Sequence, residues 1–219
     1  GYEDLRAEIQ IKYGKNANFV SLTKLRQYCC HPLIFDADEI PDLTINSQKY
    51  IRLIEILSEI FESKEKAVIF TSYSKMVDLL VVDIHNRLSV YGNFIDGRVP
   101  VEDRQLIVDE FNEITDAGFL VLNPRAAGTG LNITGANHVI HYNPEWNPAI
   151  EDQASARVYR LGQTRPVTIH RLIYTDSVEE IMNERLEFKR TLADLTVVGT
   201  QVSSNDLGFV IKALSVTPK

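Results

Sequence analysis

The chain has 219 residues, of which 44% are hydrophobic and 24% are charged, and its formal net charge is −7. This composition is ordinary for a folded globular protein, and no apolar run is long enough to span a bilayer. The acidic charge argues against a wholly basic nucleic-acid coat but does not exclude a local basic groove. No signal peptide opens the sequence. The first residue is Gly1 rather than Met, so we expect either a cut fragment or a tag remnant.

The N-terminal part of the sequence predicts helices. Apolar residues at helical spacing predict a helix over Ser21–Cys30, which Pro32 ends. A second helix is predicted through residues 51–61, where apolar residues recur at intervals of three and four, and either Asn46 or Ser47 caps it.

From residue 67 onward, short apolar stretches alternate with amphipathic helical stretches. The predicted strands are Ala67–Thr71, Asn93–Ile95, Phe119–Leu122, His138–His141 and Val167–Ile173. The predicted helices are Ser74–Leu88, one that starts at Pro100, Pro148–Leu161 and Ser177–Leu192. Strands that alternate with helices are typical of βαβ units. We therefore predict an α/β fold, with a parallel sheet covered by helices on both faces and further helices at the N-terminus.

The two cysteines, Cys29 and Cys30, are adjacent in the sequence. Neighbouring residues rarely meet disulfide geometry, so they are either buried helical thiols or part of a redox or metal site. His31 follows them, but no second Cys/His pair lies at zinc spacing. We therefore predict buried thiols and no metal site. Structural roles are also predicted for the histidines in or beside strands, His138, His141 and His170.

Ligands of parallel sheets bind at the carboxyl ends of the strands, so the residues that follow each predicted strand are candidates. The hydroxyls of Thr71 and Ser72 follow the first strand, and Asp96-Gly97 follows the second. Hydroxyls can contact phosphate here, or they can simply cap the next helix, and Asp96-Gly97 can equally be only a turn. The sequence at this point leaves both interpretations open.

The segment after the third strand contains Arg125, Gly128 and Gly130, and glycines let backbone N–H groups approach an anion. The next glycine, Gly135, does not fit the spacing of a dinucleotide fingerprint, which disfavours an oxidoreductase. The sequence also contains no G-x-x-x-x-G-K-[ST] run. The chain therefore has no Walker A phosphate loop of its own.

The predicted helix Pro148–Leu161 places Gln153, Arg157 and Arg160 on one face, because they are spaced at i, i+4 and i+7. Arginine suits the recognition of planar phosphate groups, so this face can clamp phosphate charge. The alternative is a solvated face on which Glu151 and Asp152 pair with the arginines.

Several of these segments together resemble superfamily 2 helicase-like ATPases, and in particular the Swi/Snf-type branch. The family pattern A-G-G-x-G-L-N-L-T is matched by Ala126–Thr134, and the pattern Q-A-x-x-R-x-x-R-x-G-Q-T by Gln153–Thr164. Between them, Val139-Ile140 and Trp146-Asn147-Pro148 match V-I…W-N-P. Upstream matches are Val68–Tyr73 to motif IV, Asp96-Gly97 with Glu102-Asp103-Arg104 to D-G…E-x-R, and Leu25–Pro32 to L-R…C-x-H-P.

The chain departs from the family pattern at three places. Asn123-Pro124 stands where the family usually has Ser-Thr, Ala127 replaces a glycine, and Arg98 stands where a small hydroxyl residue is common. Since Pro124 has no backbone N–H, another residue must make any backbone contact there.

The resemblance implies a role for each matching residue. Arg160, and after it Arg157, become candidate arginine fingers for the γ-phosphate of ATP, while Gln153 orients near the nucleotide or couples the lobes. Gly128 and Gly130 become candidates for close backbone approach at the ATP site. Contacts to DNA phosphates, which position a duplex without reading its sequence, are implied for Thr71, Ser72, Arg125 and Asn132.

Family members have two RecA-like lobes, and this chain resembles the second. The resemblance implies a RecA-like lobe at 47–195, preceded by a helical segment at 1–46 and followed by a partly flexible tail at 196–219. The implied cofactor is ATP with Mg²⁺, and the metal is held mainly by the first lobe of the same protein. Double-stranded DNA is the implied partner, no membrane is involved, and further protein subunits are not identified.

Two functions are consistent with these residues. The one we expect is the second motor lobe of an ATP-dependent translocase on double-stranded DNA, inactive as an ATP hydrolase when isolated. The alternative is a non-catalytic RecA-like module that binds DNA or protein, in which the arginines would be dispensable. Either would act beside the nucleoid in the cytoplasm of a prokaryote or in the nucleus of a eukaryote.

Overall fold

A computed structural model describes residues 1–13, 17–35 and 42–195 of the chain. They contain a parallel sheet of five strands in the order β2-β3-β1-β4-β5. Phe70, the last residue of the central strand, lies opposite Leu122 on one side and His141 on the other, so the carboxyl ends of these strands are level. The strands, each overlapping a predicted one, are β1 Lys66–Phe70, β2 Tyr91–Ile95, β3 Gly118–Leu122, β4 His138–His141 and β5 Thr168–Arg171.

The helices follow the alternation that the sequence predicts. Ser47 caps the third helix by accepting a hydrogen bond from the Tyr50 N–H at 3.2 Å, so Ser47 rather than Asn46 is the cap. Pro32 ends the second helix but begins a short 3₁₀ turn, Pro32–Ile34. The helices are α1 Tyr2–Tyr13, α2 Ala17–Cys30, α3 Gln48–Glu62, α4 Ser74–Leu88, α5 Val101–Glu113, α6 Pro148–Ser155 and α7 Val178–Leu195.

Helices cover both faces of the sheet, as predicted. Alternate residues of β1 point to opposite sides: Ile69 packs with α3 and α4, whereas Val68 packs with α5 and α6. All five residues of β1 and of β3 are buried, which explains why these strands are continuously apolar in the sequence.

The N-terminal helices pack against the last helix. Leu25 and Cys29 of α2 share an apolar cluster with Val178 and Ile181 of α7. Cys29 and Cys30 are free and buried, as predicted, and burial raises the pKa of the Cys30 thiol to about 12. A protonated thiol is a poor nucleophile, so these cysteines are structural.

Two predictions about domain organisation stay untested. The tail at 196–219 lies outside the described residues. The division between 1–46 and 47–195 remains a prediction.

Lys66 is a buried lysine at the start of the central strand. Its ammonium donates hydrogen bonds to the carbonyls of Phe111 and Ile114, each at 2.7 Å, and of Asn112 at 3.2 Å. The last carbonyls of a helix lack intrahelical partners and carry partial negative charge. Lys66 therefore closes the C-terminal end of α5 and fastens it to the sheet.

Replacing Lys66 tests this role. Lys66→Met keeps an apolar stem but leaves three carbonyls unpaired, so the free energy of unfolding should fall by about 2 kcal/mol. Urea unfolding followed by circular dichroism measures the loss. Lys75→Met, an exposed lysine on α4, is the matched control and should change stability by less than about 0.5 kcal/mol. Equal effects of the two substitutions would contradict the capping role.

Candidate functional site

The polar segments that follow the strands meet at one edge of the sheet. Asn123, after β3, donates its amide to the Ser72 carbonyl at 3.2 Å, and its side-chain oxygen accepts the Arg125 N–H at 3.0 Å. Asn123 thus joins two of the predicted DNA-contact residues. In the sequence, Asn123 is only a departure from the family pattern. In the structure, its side chain links the segment after β1 to the segment after β3.

The four predicted DNA-contact residues do not all lie together. Thr71 is fully buried, and its hydroxyl donates to the side-chain oxygen of Asn143 at 2.8 Å. Asn132 is exposed, but its carbonyl accepts from Asn112, near the C-terminal end of α5. Ser72 is half-buried and Arg125 is exposed, so these two are the accessible candidates at the carboxyl edge.

The helix that carries Gln153 is shorter than the sequence predicts. The prediction of one helix over Pro148–Leu161 is wrong, because α6 ends at Ser155 and the chain continues in tight turns. The Arg157 carbonyl accepts the N–H of Ile133 at 2.9 Å, a contact from a distant segment that replaces continued helix. Gln153, Arg157 and Arg160 therefore do not share one helical face.

The turns after α6 bring an arginine to the glycine-containing segment. One terminal nitrogen of Arg160 donates to the Gly130 carbonyl at 3.4 Å. Gly130 has φ +87°, a left-handed conformation that favours glycine, and it follows the 3₁₀ turn Ala126–Thr129 that includes Gly128. The structure thus joins two candidate ATP-contact residues, Gly130 and Arg160, which are thirty positions apart.

Arg157 and Arg160 have unused hydrogen-bonding capacity. The Nε of Arg157 is buried and has no hydrogen-bond partner among the described residues, while Arg160 and Gln153 are exposed. A buried guanidinium nitrogen without a partner is costly unless an acceptor arrives. These residues therefore fit a highly charged anion such as the phosphates of ATP.

Two further arginines, Arg165 and Arg171, lie between residues 123 and 174 and are engaged inside the lobe. Arg165 donates to the Gly135 carbonyl at 2.6 Å, and Arg171 donates to Glu151 at 3.4 Å. Among these arginines, Arg125, Arg157 and Arg160 therefore keep the most positive charge available to a ligand.

Glu151 is buried, which disagrees with the alternative interpretation that it belongs to a solvated face. It accepts hydrogen bonds from the Glu145 N–H and from Arg190 of α7, both at 2.9 Å, in addition to Arg171. Burial alone would raise the pKa of its carboxyl, but the positive charge that His141 carries when protonated, the hydrogen bonds from the Glu145 N–H and Arg190, and the charge of Arg190 together lower it. Glu151 is therefore ionised at neutral pH and anchors α6.

His141 lies at the end of β4 and packs against α6. Its Nε2 is 2.9 Å from the Ser155 hydroxyl, and its ring stacks on Phe70 with centroids 5.4 Å apart. Burial lowers its pKa to about 4, so the ring is neutral at pH 7. This placement agrees with the structural role predicted for it.

The described residues contain no cluster of three or more His, Cys, Asp or Glu residues arranged to hold a metal ion. In the same part of the chain, no helix combines the length and the apolar character that a bilayer crossing requires.

Comparison with known proteins identifies the class. A family model described as "Helicase conserved C-terminal domain" matches residues 48–162, just over half of the chain. The fold and the site define a RecA-like helicase lobe. The chain belongs to the helicase conserved C-terminal domain family, in its SWI2/SNF2 branch.

The chain is similar to both bacterial and archaeal members. It is 36% identical over 191 residues to YwqA of Bacillus subtilis, whose name describes an ATP-dependent helicase/translocase; the match covers 85% of this chain and 21% of that protein. The Sulfolobus solfataricus SWI2/SNF2 ATPase core in complex with dsDNA has a TM-score of 0.72 and 34% identity, covering 95% of this chain and 45% of that one. The C-terminal domain of the same archaeal ATPase has a TM-score of 0.69 and 30% identity, covering 96% and 89%. The chain spans about a fifth of the length of the curated relatives it matches.

His141 generates a testable pH dependence. Its pKa is lower in the folded chain than the value near 6.5 of an unfolded one, so stability is full above that value and declines as the pH falls toward 4. We expect His141 to account for a loss of about 2 kcal/mol between pH 7.5 and pH 5. Urea unfolding at both pH values should show this loss in the native chain and a correspondingly smaller one in His141→Gln. Equal losses in the two proteins would contradict the assignment.

Proposed function

We propose that the chain is the second motor lobe of an ATP-dependent translocase on double-stranded DNA. The observation that carries this proposal is the pair Arg157 and Arg160, which follow α6 with guanidinium groups largely unused inside the lobe. The sequence has no Walker A lysine, so the rest of the phosphate contacts must come from a different lobe. An arginine that completes an active site from across a cleft fits both facts.

In this proposal Arg160 stabilises the charge that develops on the transferred phosphoryl group. Phosphoryl transfer depends on positioning and charge stabilisation more than on covalent chemistry. Arg157, which is half-buried, supplies a second positive charge, and Gln153, which is exposed on α6, orients near the nucleotide. Gly128 and Gly130 allow the backbone to approach the nucleotide. ATP with Mg²⁺ is the proposed cofactor, and the metal contacts are assigned mainly to the first lobe.

Double-stranded DNA is proposed to lie along the carboxyl edge, where Ser72 and Arg125 are accessible. Arg125 makes no side-chain hydrogen bond or ion pair within the described residues, so it is available to a phosphate. The Sulfolobus ATPase core, solved with dsDNA, supports this choice of partner. Because Thr71 is buried, its predicted contact requires a rearrangement; Asn132, set apart from this edge, is the weakest of the four candidates.

Replacing Arg160 in the full-length protein with both lobes tests the proposal. Arg160→Ala should lower the DNA-stimulated kcat for ATP by about a thousandfold, because the developing phosphoryl charge loses its neutralising partner. Arg160→Lys should recover only part of the rate, since lysine lacks the planar fork.

The matched control is Arg52→Ala, an exposed arginine on α3 that pairs with Glu55, and it should keep the native rate. If Arg160→Ala instead retains a kcat within about threefold of the native value, the chain is a non-catalytic RecA-like module rather than a motor lobe.

A further inference from the structure

The hydroxyl of Ser72 is already engaged inside the lobe. It donates a hydrogen bond to the carboxylate of Glu145, and it accepts one from the amide of Asn143 at 3.2 Å. The backbone N–H of Ser72 donates to the side-chain oxygen of Asn143 at 3.3 Å. Both donors of Ser72 therefore point at the loop between β4 and α6.

This arrangement puts a DNA phosphate and Glu145 in competition. A serine hydroxyl has a single hydrogen to donate, so it cannot serve a phosphate oxygen and the Glu145 carboxylate at once. The two acceptors are also both negatively charged and repel each other at this range. A phosphate that binds Ser72 must therefore displace the side chain of Glu145.

Glu145 loses the hydrogen bond from Ser72 when a phosphate takes that hydroxyl. Its side chain is buried, and a buried carboxylate without a donor is strongly unfavourable. The backbone N–H of Glu145 is fixed to the carboxylate of Glu151 at 2.9 Å, and Glu151 lies in α6. This bond connects the loop that carries Glu145 to α6, whose end leads directly to Arg157 and Arg160.

We propose that Glu145 is a positioning residue that couples DNA binding at Ser72 to the placement of the arginines after α6. In the DNA-free protein Glu145 holds the Ser72 hydroxyl and fixes the loop in one arrangement. Binding of a phosphate to Ser72 releases Glu145, and the loop and α6 shift through Glu151. The inference rests on the proposed function and adds to it the route by which DNA stimulates ATP hydrolysis.

The first test measures DNA affinity with this chain alone. Glu145→Gln keeps an acceptor for Ser72 but removes the negative charge that opposes the phosphate. Fluorescence anisotropy with a labelled duplex should give a Kd at least about twofold lower than the native value. Glu110→Gln, the same charge change at an exposed position of α5, is the control and should leave the Kd unchanged. A Glu145→Gln effect no larger than that of the control overturns the competition between carboxylate and phosphate.

The second test measures coupling in the full-length protein. The ratio of ATP hydrolysis rates with saturating DNA and without DNA should fall at least about twofold in Glu145→Gln, because the neutral side chain is not driven from its place. Ser72→Ala removes the hydroxyl through which a phosphate would release Glu145. It should therefore also lower the ratio, even at saturating DNA. Adding Glu145→Gln to Ser72→Ala should then change nothing further.

The outcomes separate this inference from the proposed function. If the native full-length protein shows no DNA-stimulated hydrolysis, the proposed function fails and the coupling fails with it. If stimulation is present but Glu145→Gln and Ser72→Ala keep the native ratio, only the coupling is overturned. Thermal melting of each variant identifies any loss of folding. If Glu145→Gln does not fold, the ratio of hydrolysis rates with and without DNA in Ser72→Ala decides whether the coupling holds.

Discussion

The buried carboxylate of Glu151 is the interaction on which the candidate site depends. A buried charge is tolerated only when donors and opposite charges surround it, and removing one partner is costly. Glu151 receives Arg190 from α7, Arg171 from β5 and the Glu145 N–H from the loop after β4. The three donors lie in three different parts of the chain, so one side chain sets the position of the start of α6 relative to the sheet and to α7.

The far end of α6 is held differently, and this contrast explains how the lobe can act on a ligand. There, His141 contacts the hydroxyl of Ser155, a backbone bond joins Ile133 to Arg157, and a long bond of 3.4 Å joins Arg160 to Gly130. A site works best when rigid elements support side chains whose donors are still available. Glu151 sets the position of α6, and the guanidinium groups of Arg157 and Arg160 keep donors that the lobe itself leaves largely unused.

Local sequence patterns predicted most of the fold, and matched motifs predicted the family. The bounds of α4 were correct because its apolar residues recur with a clear helical period. The bounds of β4 were correct because it is a short stretch with an apolar centre. The end of α6 was not predictable in this way, because the residues after Ser155 have a helical pattern but bond instead to distant segments, as the Arg157 carbonyl does to the Ile133 N–H. The burial of Glu151 and of Thr71 likewise depends on partners far along the chain, which no local pattern reveals.

The central claim is that this lobe completes an ATP site whose phosphate loop belongs to another lobe. The most direct measurement compares ATP hydrolysis by this chain alone with hydrolysis by the full-length protein, each with and without double-stranded DNA. We predict no hydrolysis above background for the chain alone and DNA-stimulated hydrolysis for the full-length protein. Turnover by the chain alone at an ordinary enzymatic rate, about 1 s⁻¹ or more, would contradict the account.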